Sequence, residues 1–183
     1  MKWLLFTSQL PASPSSLRVM VWRRMKAAGA VSLQNGVWIL PHTKEQERIV
    51  EDLLSYLHEQ GADGQSFSAT ALSKQVEEDL LQRFRGLRDE EYAELIERCQ
   101  ALITELEKET KKKKFTFAEL EENEDELQKL ESWLSRIQTR DLVRGERAAE
   151  AVRAMESCKK AFGVFAEHVY AQEQIDPKEN SAK

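Results

Sequence analysis

Glycine, proline, cysteine and histidine are all scarce in this chain. Its 183 residues include 7 glycines, 4 prolines, 2 cysteines and 3 histidines. Because glycine and proline most often interrupt regular structure, we expect long helices and strands joined by short connections. No apolar run approaches the length that a membrane span requires, so we expect no membrane partner.

The cysteines and histidines give no sign of a metal site or a catalytic centre. Cys99 and Cys158 each lie in an apolar-periodic segment, where a buried reduced thiol is expected, and this indicates a cytoplasmic protein. His42, His58 and His168 stand alone, and no metal-ligand spacing occurs around them. A glycine-rich phosphate loop and a Gly-x-Ser-x-Gly elbow are also missing. We therefore expect no metal, no cofactor and no enzymatic activity.

Strand and helix signals alternate over the first 72 residues. In order, they predict a strand at 3–6, a helix capped by Ser13 or Ser15 and ending near Ala28, strands at 30–33 and 37–40, a helix from Lys44 to Gln60, and a strand at 65–71. The strongest single signal is Asn35-Gly36 between two apolar runs, because both residues of a tight hairpin turn must tolerate positive φ. The order βαββαβ is that of a ferredoxin-like fold.

The first and third predicted strands are apolar on both faces. Two helices can cover only one face of the sheet, so the other face needs a partner. That partner is either the helical remainder of the chain or a second subunit. A homodimer through an open sheet face is therefore one of two interpretations.

From Ser73 onward the apolar period is helical. It predicts a short helix ending near Gly86, a second helix capped by Asp89 and ended by Lys111 to Lys114, a third helix at about 120–137, and a fourth at about 152–169. Short connections favour antiparallel neighbours. The chain is thus predicted to be α+β, with a ferredoxin-like domain at 1–72, an antiparallel helical bundle at 73–175 and a disordered tail at 176–183.

Charge is distributed unevenly along the chain. Residues 1–72 hold 7 Lys/Arg and 6 Asp/Glu, whereas residues 73–183 hold 20 and 26. The first 44 residues contain six basic residues and no acidic one. A locally basic end on an acidic protein permits contact with a phosphate or another anion. The alternative is a solvated helix face.

Two groups of basic residues are candidate anion-binding sites, since guanidinium groups bind phosphates and other tetrahedral oxyanions through paired hydrogen bonds. The first group lies on the first predicted helix and suits nucleic-acid phosphates: Arg18, Arg23, Arg24 and Lys26. The second lies near two predicted helix ends and suits a tetrahedral oxyanion: Arg83, Arg85, Arg88, Arg140 and Arg144. For the second group, pairing with the protein's own acidic residues is the favoured alternative.

Three blocks of sequence, in order, form a recognisable pattern. They are Trp22-Arg23-Arg24-Met25-Lys26-Ala27-Ala28-Gly29-Ala30 followed by Asn35-Gly36-Val37-Trp38-Ile39-Leu40-Pro41, then Phe115-Thr116-Phe117-Ala118-Glu119-Leu120-Glu121-Glu122-Asn123-Glu124, and then Arg140-Asp141. Together they resemble the N-terminal region of ChrB, the chromate-resistance protein family, over residues 1 to about 172. The resemblance implies a regulator or accessory of chromate resistance, often a chromate-responsive transcription factor. Full-length members continue into another C-terminal domain, and if sensing depends on it, this chain is not expected to sense chromate alone.

The first 72 residues also resemble the ferredoxin-like domain of PaaX-type repressors and of small CRISPR-associated nucleases. Those nucleases use an acidic residue at the end of the first strand. Thr7-Ser8-Gln9 occupies that place here, and no acidic residue precedes Glu45. Nuclease chemistry is therefore disfavoured.

Four functions remain open at this point. The first is a DNA-associated regulatory module that binds phosphates through the first helix. The second is an oxyanion-binding sensor or accessory that does not contact DNA. A metal-dependent nuclease or other enzyme is the least supported, and a purely structural interaction protein is the fourth.

Overall fold

A computed structural model describes residues 1–10 and 15–175 of the chain. Its elements are β1 Trp3–Gln9, α1 Ser16–Ala27, β2 Val31–Gln34, β3 Val37–Pro41, α2 Lys44–Glu59, β4 Asp63–Ala69, α3 Lys74–Lys111, α4 Phe117–Arg140 and α5 Glu146–Ile175. The predicted α+β class and βαββαβ order are confirmed. The expected cap Ser13 and the expected disordered tail at 176–183 lie outside the described residues.

The four strands form one antiparallel sheet in the order β2-β3-β1-β4. In the central strand β1, Leu5 is paired with Ile39 of β3 on one side and with Phe67 of β4 on the other. Strand β1 extends to Gln9, beyond the apolar run that predicted it, because its polar end still pairs with Asp63 of β4. Strand pairing thus continues past the point where the hydrophobic signal stops.

Helices α1 and α2 cover one face of this sheet. The buried residues on this side include Leu4, Phe6 and Leu40 from the sheet, Val21 and Met25 from α1, and Val50, Leu53 and Leu57 from α2. In α2 the apolar residues recur at helical spacing, and Thr43 caps its first turn by accepting a hydrogen bond from the Gln46 N–H at 3.2 Å. The burial of this apolar stripe against the strands fixes α2 on the sheet.

The opposite sheet face is covered by the first part of α3. Trp3, Val31 and Ile39 on this face pack with Phe84, and Leu80 packs against the same cluster. The rings of Trp3 and Phe84 are stacked with centroids 5.6 Å apart. The first part of α3 is therefore a partner of this face, and the homodimer predicted from the sequence stays a prediction.

Close contacts divide the chain into two compact units. The first consists of Met1–Arg88 together with Gln138–Arg144, and the second of Asp89–Ile137 together with the chain from Gly145 onward. The expected boundary lay at residue 72. The first unit extends further, because the part of α3 that packs on the sheet belongs with the strands that it covers.

Helix α3 runs without interruption from Lys74 to Lys111. The prediction of a break near Gly86 with Asp89 as a new cap is therefore wrong, and the helical part contains three helices instead of four in the described residues. Glycine disfavours a helix interior by about 1 kcal/mol relative to alanine, which is too little to end a helix whose flanking turns are packed on both sides.

We expect Gly86→Ala to raise the free energy of unfolding by about 0.5–1 kcal/mol. A Cβ at this position meets no atom within 4 Å, and the backbone φ of Gly86 lies outside the positive region. Alanine would therefore remove chain entropy from the unfolded state without a steric cost. Urea denaturation followed by circular dichroism measures the change, and a loss of stability would contradict the continuous helix.

Helices α1 and α2 end in the same way. After α1, the Gly29 N–H donates to the Lys26 carbonyl at 3.1 Å and the Ala30 N–H donates to the Met25 carbonyl at 2.9 Å. The corresponding residue after α2 is Gly61, and both glycines have positive φ, 78° and 70°. This is the Schellman motif, which satisfies the last carbonyls of a helix and requires a left-handed residue.

The second unit is built from the rest of α3 with α4 and α5. Its buried core includes Leu95, Leu102 and Leu106 of α3, Leu127, Leu130 and Ile137 of α4, and Met155, Phe165 and Val169 of α5. Cys99 and Cys158 lie in the same core as free thiols. The Cys158 thiol hydrogen-bonds to Cys99, which raises the pKa of Cys158 and lowers that of Cys99. Across the described ranges, no helix combines the length and apolarity needed for a membrane span.

Candidate anion-binding site

A cavity of about 710 Å³ opens beside α1 in the first unit. It lies between this helix, the end of β1 and the β2–β3 hairpin. Its lining residues are Ser8, Gln9, Leu10, Arg18, Val21, Trp22, Lys26, Ser32, Asn35, Gly36 and Trp38. We call this cavity the α1 pocket. Its described lining contains two cationic side chains and no acidic one, so its electrostatic potential favours an anion.

Four residues of α1 line the α1 pocket, and three of them are Arg18, Trp22 and Lys26. Arg18, Trp22 and Lys26 are spaced four residues apart, so they lie on one face of the helix, one turn after another. Arg18 is exposed, Lys26 is half-buried, and Trp22 keeps 53% of its surface accessible. An indole with this much exposed surface, between two cations, is unusual for a residue that serves the core alone.

The floor of the α1 pocket is set by a close approach of two backbones. The Ser8 N–H donates to the Gly36 carbonyl at 2.8 Å. Gly36 has a φ of 74°, and a Cβ at this position would overlap the Ser8 carbonyl oxygen. Only glycine therefore allows the hairpin turn to lie against the end of β1.

Ser8 is also part of the lining of this pocket. Its Oγ is buried and has no hydrogen-bond partner among the described residues. A buried polar group that lacks a partner destabilises the fold by about 1–3 kcal/mol.

The structure separates the four basic residues predicted on the first helix. Arg18 and Lys26 line the α1 pocket, whereas Arg23 and Arg24 are exposed elsewhere on α1. The Arg24 guanidinium lies 4.9 Å from the centroid of the Tyr56 ring, a cation–π contact with α2. Within residues 1–10 and 15–175, no carboxylate forms an ion pair with Arg23, Arg24 or Lys26.

The second predicted group of basic residues lies in the first unit, on α3 and around the end of α4. Arg85 pairs with Glu78 at 3.2 Å, and Arg83 lines a mainly apolar groove that also contains Asp79. Residues two apart on a helix do not face each other, so Arg83 and Arg85 cannot line the same side of α3. Arg88 is 7% exposed. Of these three residues, Arg85 follows the alternative of pairing with the protein's own acidic residues.

The remaining two members of this group, Arg140 and Arg144, lie at the end of α4 and in the segment after it. Arg140 is half-buried and interacts within the protein, and Arg144 is exposed. In the described part of the chain, no group of three or more histidine, cysteine, aspartate or glutamate side chains is arranged to hold a metal ion.

Sequence reasoning identified the cations of the α1 pocket but not its other members. The sequence predicts a strand end at Ser8 and a turn at Asn35-Gly36, and no local signal shows that the two meet. The spacing of Trp22 four residues from both Arg18 and Lys26 was the available signal, since it places all three on one helix face.

A separate cluster of titratable side chains lies at the turn between α3 and α4. Glu109 is 6% exposed, and its Oε2 accepts a hydrogen bond from Asn123 Nδ2 at 2.8 Å. Burial and a hydrogen bond with Glu119 raise the pKa of Glu109 to about 7. Glu119 also pairs with Lys114, and the hydrogen bond with Glu109 followed by this ion pair holds the pKa of Glu119 below its usual range.

The stability of the second unit should therefore fall as pH rises from about 5 to 8. The folded state holds the Glu109 proton more tightly than the unfolded state does. The stabilisation from protonated Glu109 is therefore complete below the ordinary pKa of a glutamate and is lost as the pH passes about 7. Glu109→Gln preserves the neutral form, and we expect it to flatten this decline and to stabilise the protein at pH 8. Urea denaturation across this range measures both effects.

Glu107→Gln is the matched control, because Glu107 is an exposed carboxylate on the same helix. It should leave the pH dependence unchanged. The depressed pKa of Glu119 acts at more acidic pH, so it does not contribute to this window. If the free energy of unfolding declined equally with pH in the unchanged protein and in Glu109→Gln, the proposed role of the Glu109 proton would be contradicted.

This chain matches one protein family and one individual protein. The family described as "Protein ChrB, N-terminal" matches residues 18–175. Protein ChrB of Cupriavidus metallidurans is 45% identical over 40 residues, which are 22% of this chain and 12% of that protein. The match therefore covers a small part of the length of this relative.

Proposed function

Because this chain belongs to the ChrB N-terminal family, we propose that it is a regulatory or accessory protein of chromate resistance, cytoplasmic and without catalytic activity. Within that role, we propose that it associates with DNA through the basic residues of α1. Family membership supports the link to chromate resistance. The placement of the α1 cations supports the contact with DNA.

One observation carries the proposal of DNA contact. Among the described residues, Arg23, Arg24 and Lys26 make no ion pair with a carboxylate, and they lie on a helix that contains no acidic residue. Cations held on a helix surface without acidic neighbours attract phosphates. Such contacts release counterions, so affinity falls steeply as salt rises.

The test is binding of the full chain to a labelled duplex of the DNA upstream of its own gene. Fluorescence anisotropy at about 50 mM and about 200 mM salt gives the slope of log affinity against log salt. We expect Arg23→Ala and Lys26→Ala each to weaken binding and to reduce this slope by about one. Arg98→Ala, an exposed arginine on α3 in the second unit, is the matched control and should change neither quantity.

Binding at low salt that is no stronger than that of a neutral control protein would overturn the DNA proposal. The same follows if Arg98→Ala weakens binding as much as Lys26→Ala, since the contact would then depend on total charge and not on α1.

A second function, binding of an oxyanion without DNA, is favoured by a specific feature of the α1 pocket. Arg18 and Lys26 both lie in the lining of one cavity, and either cation can bind a small tetrahedral anion there. Calorimetry of the full chain with chromate and with sulfate tests it. We expect heat of binding that Lys26→Ala removes, and no heat with either anion from a folded protein would exclude this function.

A further inference from the structure

We infer that the α1 pocket binds one unpaired nucleotide, with the base stacked on Trp22 and the phosphate held by Arg18 or Lys26. The inference rests on the proposed association with nucleic acid and specifies the ligand that enters this cavity. It differs from contact with duplex DNA, because a base inside a duplex is stacked and cannot enter a pocket.

The size of the α1 pocket is the first argument. Exposed cations on a helix surface suffice to contact the backbone of a duplex, and such contact needs no cavity. The volume of about 710 Å³ falls instead in the range of pockets that hold small molecules. A lone oxyanion would fill a small fraction of this space.

The position of Trp22 is the second argument. Its side chain lies in the lining and remains 53% exposed, and it is flanked by Arg18 one turn before and Lys26 one turn after. Aromatic side chains beside cations form the usual platform for single nucleotides, since the base stacks on the ring while the phosphate contacts the cation. A simple anion would make no use of the indole.

The polar groups of the floor are the third argument. The polar residues Ser8, Gln9 and Asn35 all line the cavity. These groups together supply hydrogen-bond donors and acceptors for the edge of a base or for a sugar hydroxyl. No acidic residue is present in the described lining, so a cationic ligand is disfavoured.

Calorimetry of the full chain with AMP, adenosine and inorganic phosphate tests the ligand class. We expect AMP to bind at least about tenfold more tightly than either adenosine or phosphate, because AMP alone uses both the ring and the cations. A single-stranded oligothymidylate and a duplex of the same length then distinguish a free nucleotide from a nucleotide within a strand. Binding of AMP, or binding of the single strand that Trp22→Ala weakens, supports the inference and identifies the source.

Substitutions assign the two contacts separately. Trp22→Ala should weaken AMP binding by about 5- to 150-fold, and Trp22→Phe should restore part of it, since phenylalanine still provides a stacking ring. Arg18→Ala and Lys26→Ala should weaken AMP binding and leave adenosine binding unchanged. Tyr170→Ala, which removes a 54% exposed aromatic ring from the second unit, is the matched control and should have no effect.

Two results would overturn the inference while leaving the proposed function in place. One is duplex binding without binding of AMP or the single strand. The other is phosphate binding as tight as AMP binding that Trp22→Ala does not change, which identifies a plain anion site. Absence of binding to all of these probes by a protein with an unchanged circular dichroism spectrum would overturn both.

Discussion

Replacing Phe84 with alanine is expected to lower the free energy of unfolding by about 3–5 kcal/mol. Phe84 is 3% exposed, and its ring stacks on Trp3 at a centroid distance of 5.6 Å. Alanine would leave a cavity between α3 and the sheet and would expose part of the buried indole. Urea denaturation followed by tryptophan fluorescence reports this loss, because Trp3 lies at the contact.

Phe67→Ala is the control for the same change of side chain in the same unit. Phe67 lies on β4 and is 48% exposed, so its removal should cost less than about 1 kcal/mol. A loss as large for Phe67 as for Phe84 would contradict the packing of α3 on the second sheet face. The comparison therefore tests how the first unit completes its core.

The sheet and its hairpin could be predicted because their signals are local. Asn35-Gly36 requires a turn, and the apolar runs on each side require strands, so pairing of β2 with β3 follows. The need for cover on both sheet faces was also evident from the apolar strands. Which element packs on the second face was not evident, because an apolar stripe on a helix shows that the helix packs against something but does not show against what.

The continuity of α3 shows how local signals can mislead. Gly86 and Asp89 both favour a helix end by propensity, but neither requires one. Residues before Gly86 pack on the sheet, and residues after Asp89 pack in the core of the second unit. Packing on both sides outweighs a local preference of about 1 kcal/mol.

The candidate site was predictable in its charge and not in its shape. The concentration of cations in α1 is a property of composition, so the sequence shows it directly. Convergence on a cavity depends on which helix face meets the end of β1, and this sets Arg18 and Lys26 apart from Arg23 and Arg24. The approach of Ser8 to Gly36 joins residues distant in sequence, which no local pattern encodes.

Replacing Gly29 with alanine is expected to lower the free energy of unfolding by about 2–5 kcal/mol. Gly29 has a φ of 78° in the motif that ends α1, and an L-residue in this region costs about 1–2 kcal/mol. A Cβ would also overlap the carbonyl oxygen of Arg140, which belongs to the first unit. Because this neighbour is backbone, it cannot rotate away, and overpacking adds about 1–3 kcal/mol.

Gly61→Ala separates the two costs of this substitution. Gly61 occupies the same position after α2 with a φ of 70°, and a Cβ there meets no atom within 4 Å. It should therefore lose about 1–2 kcal/mol from conformation alone. The difference between the two variants in urea denaturation measures the contact between the end of α1 and the end of α4. Equal losses of unfolding free energy in the two variants would show that the end of α4 does not contact Gly29. Residues 138–144 would then not belong to the first unit.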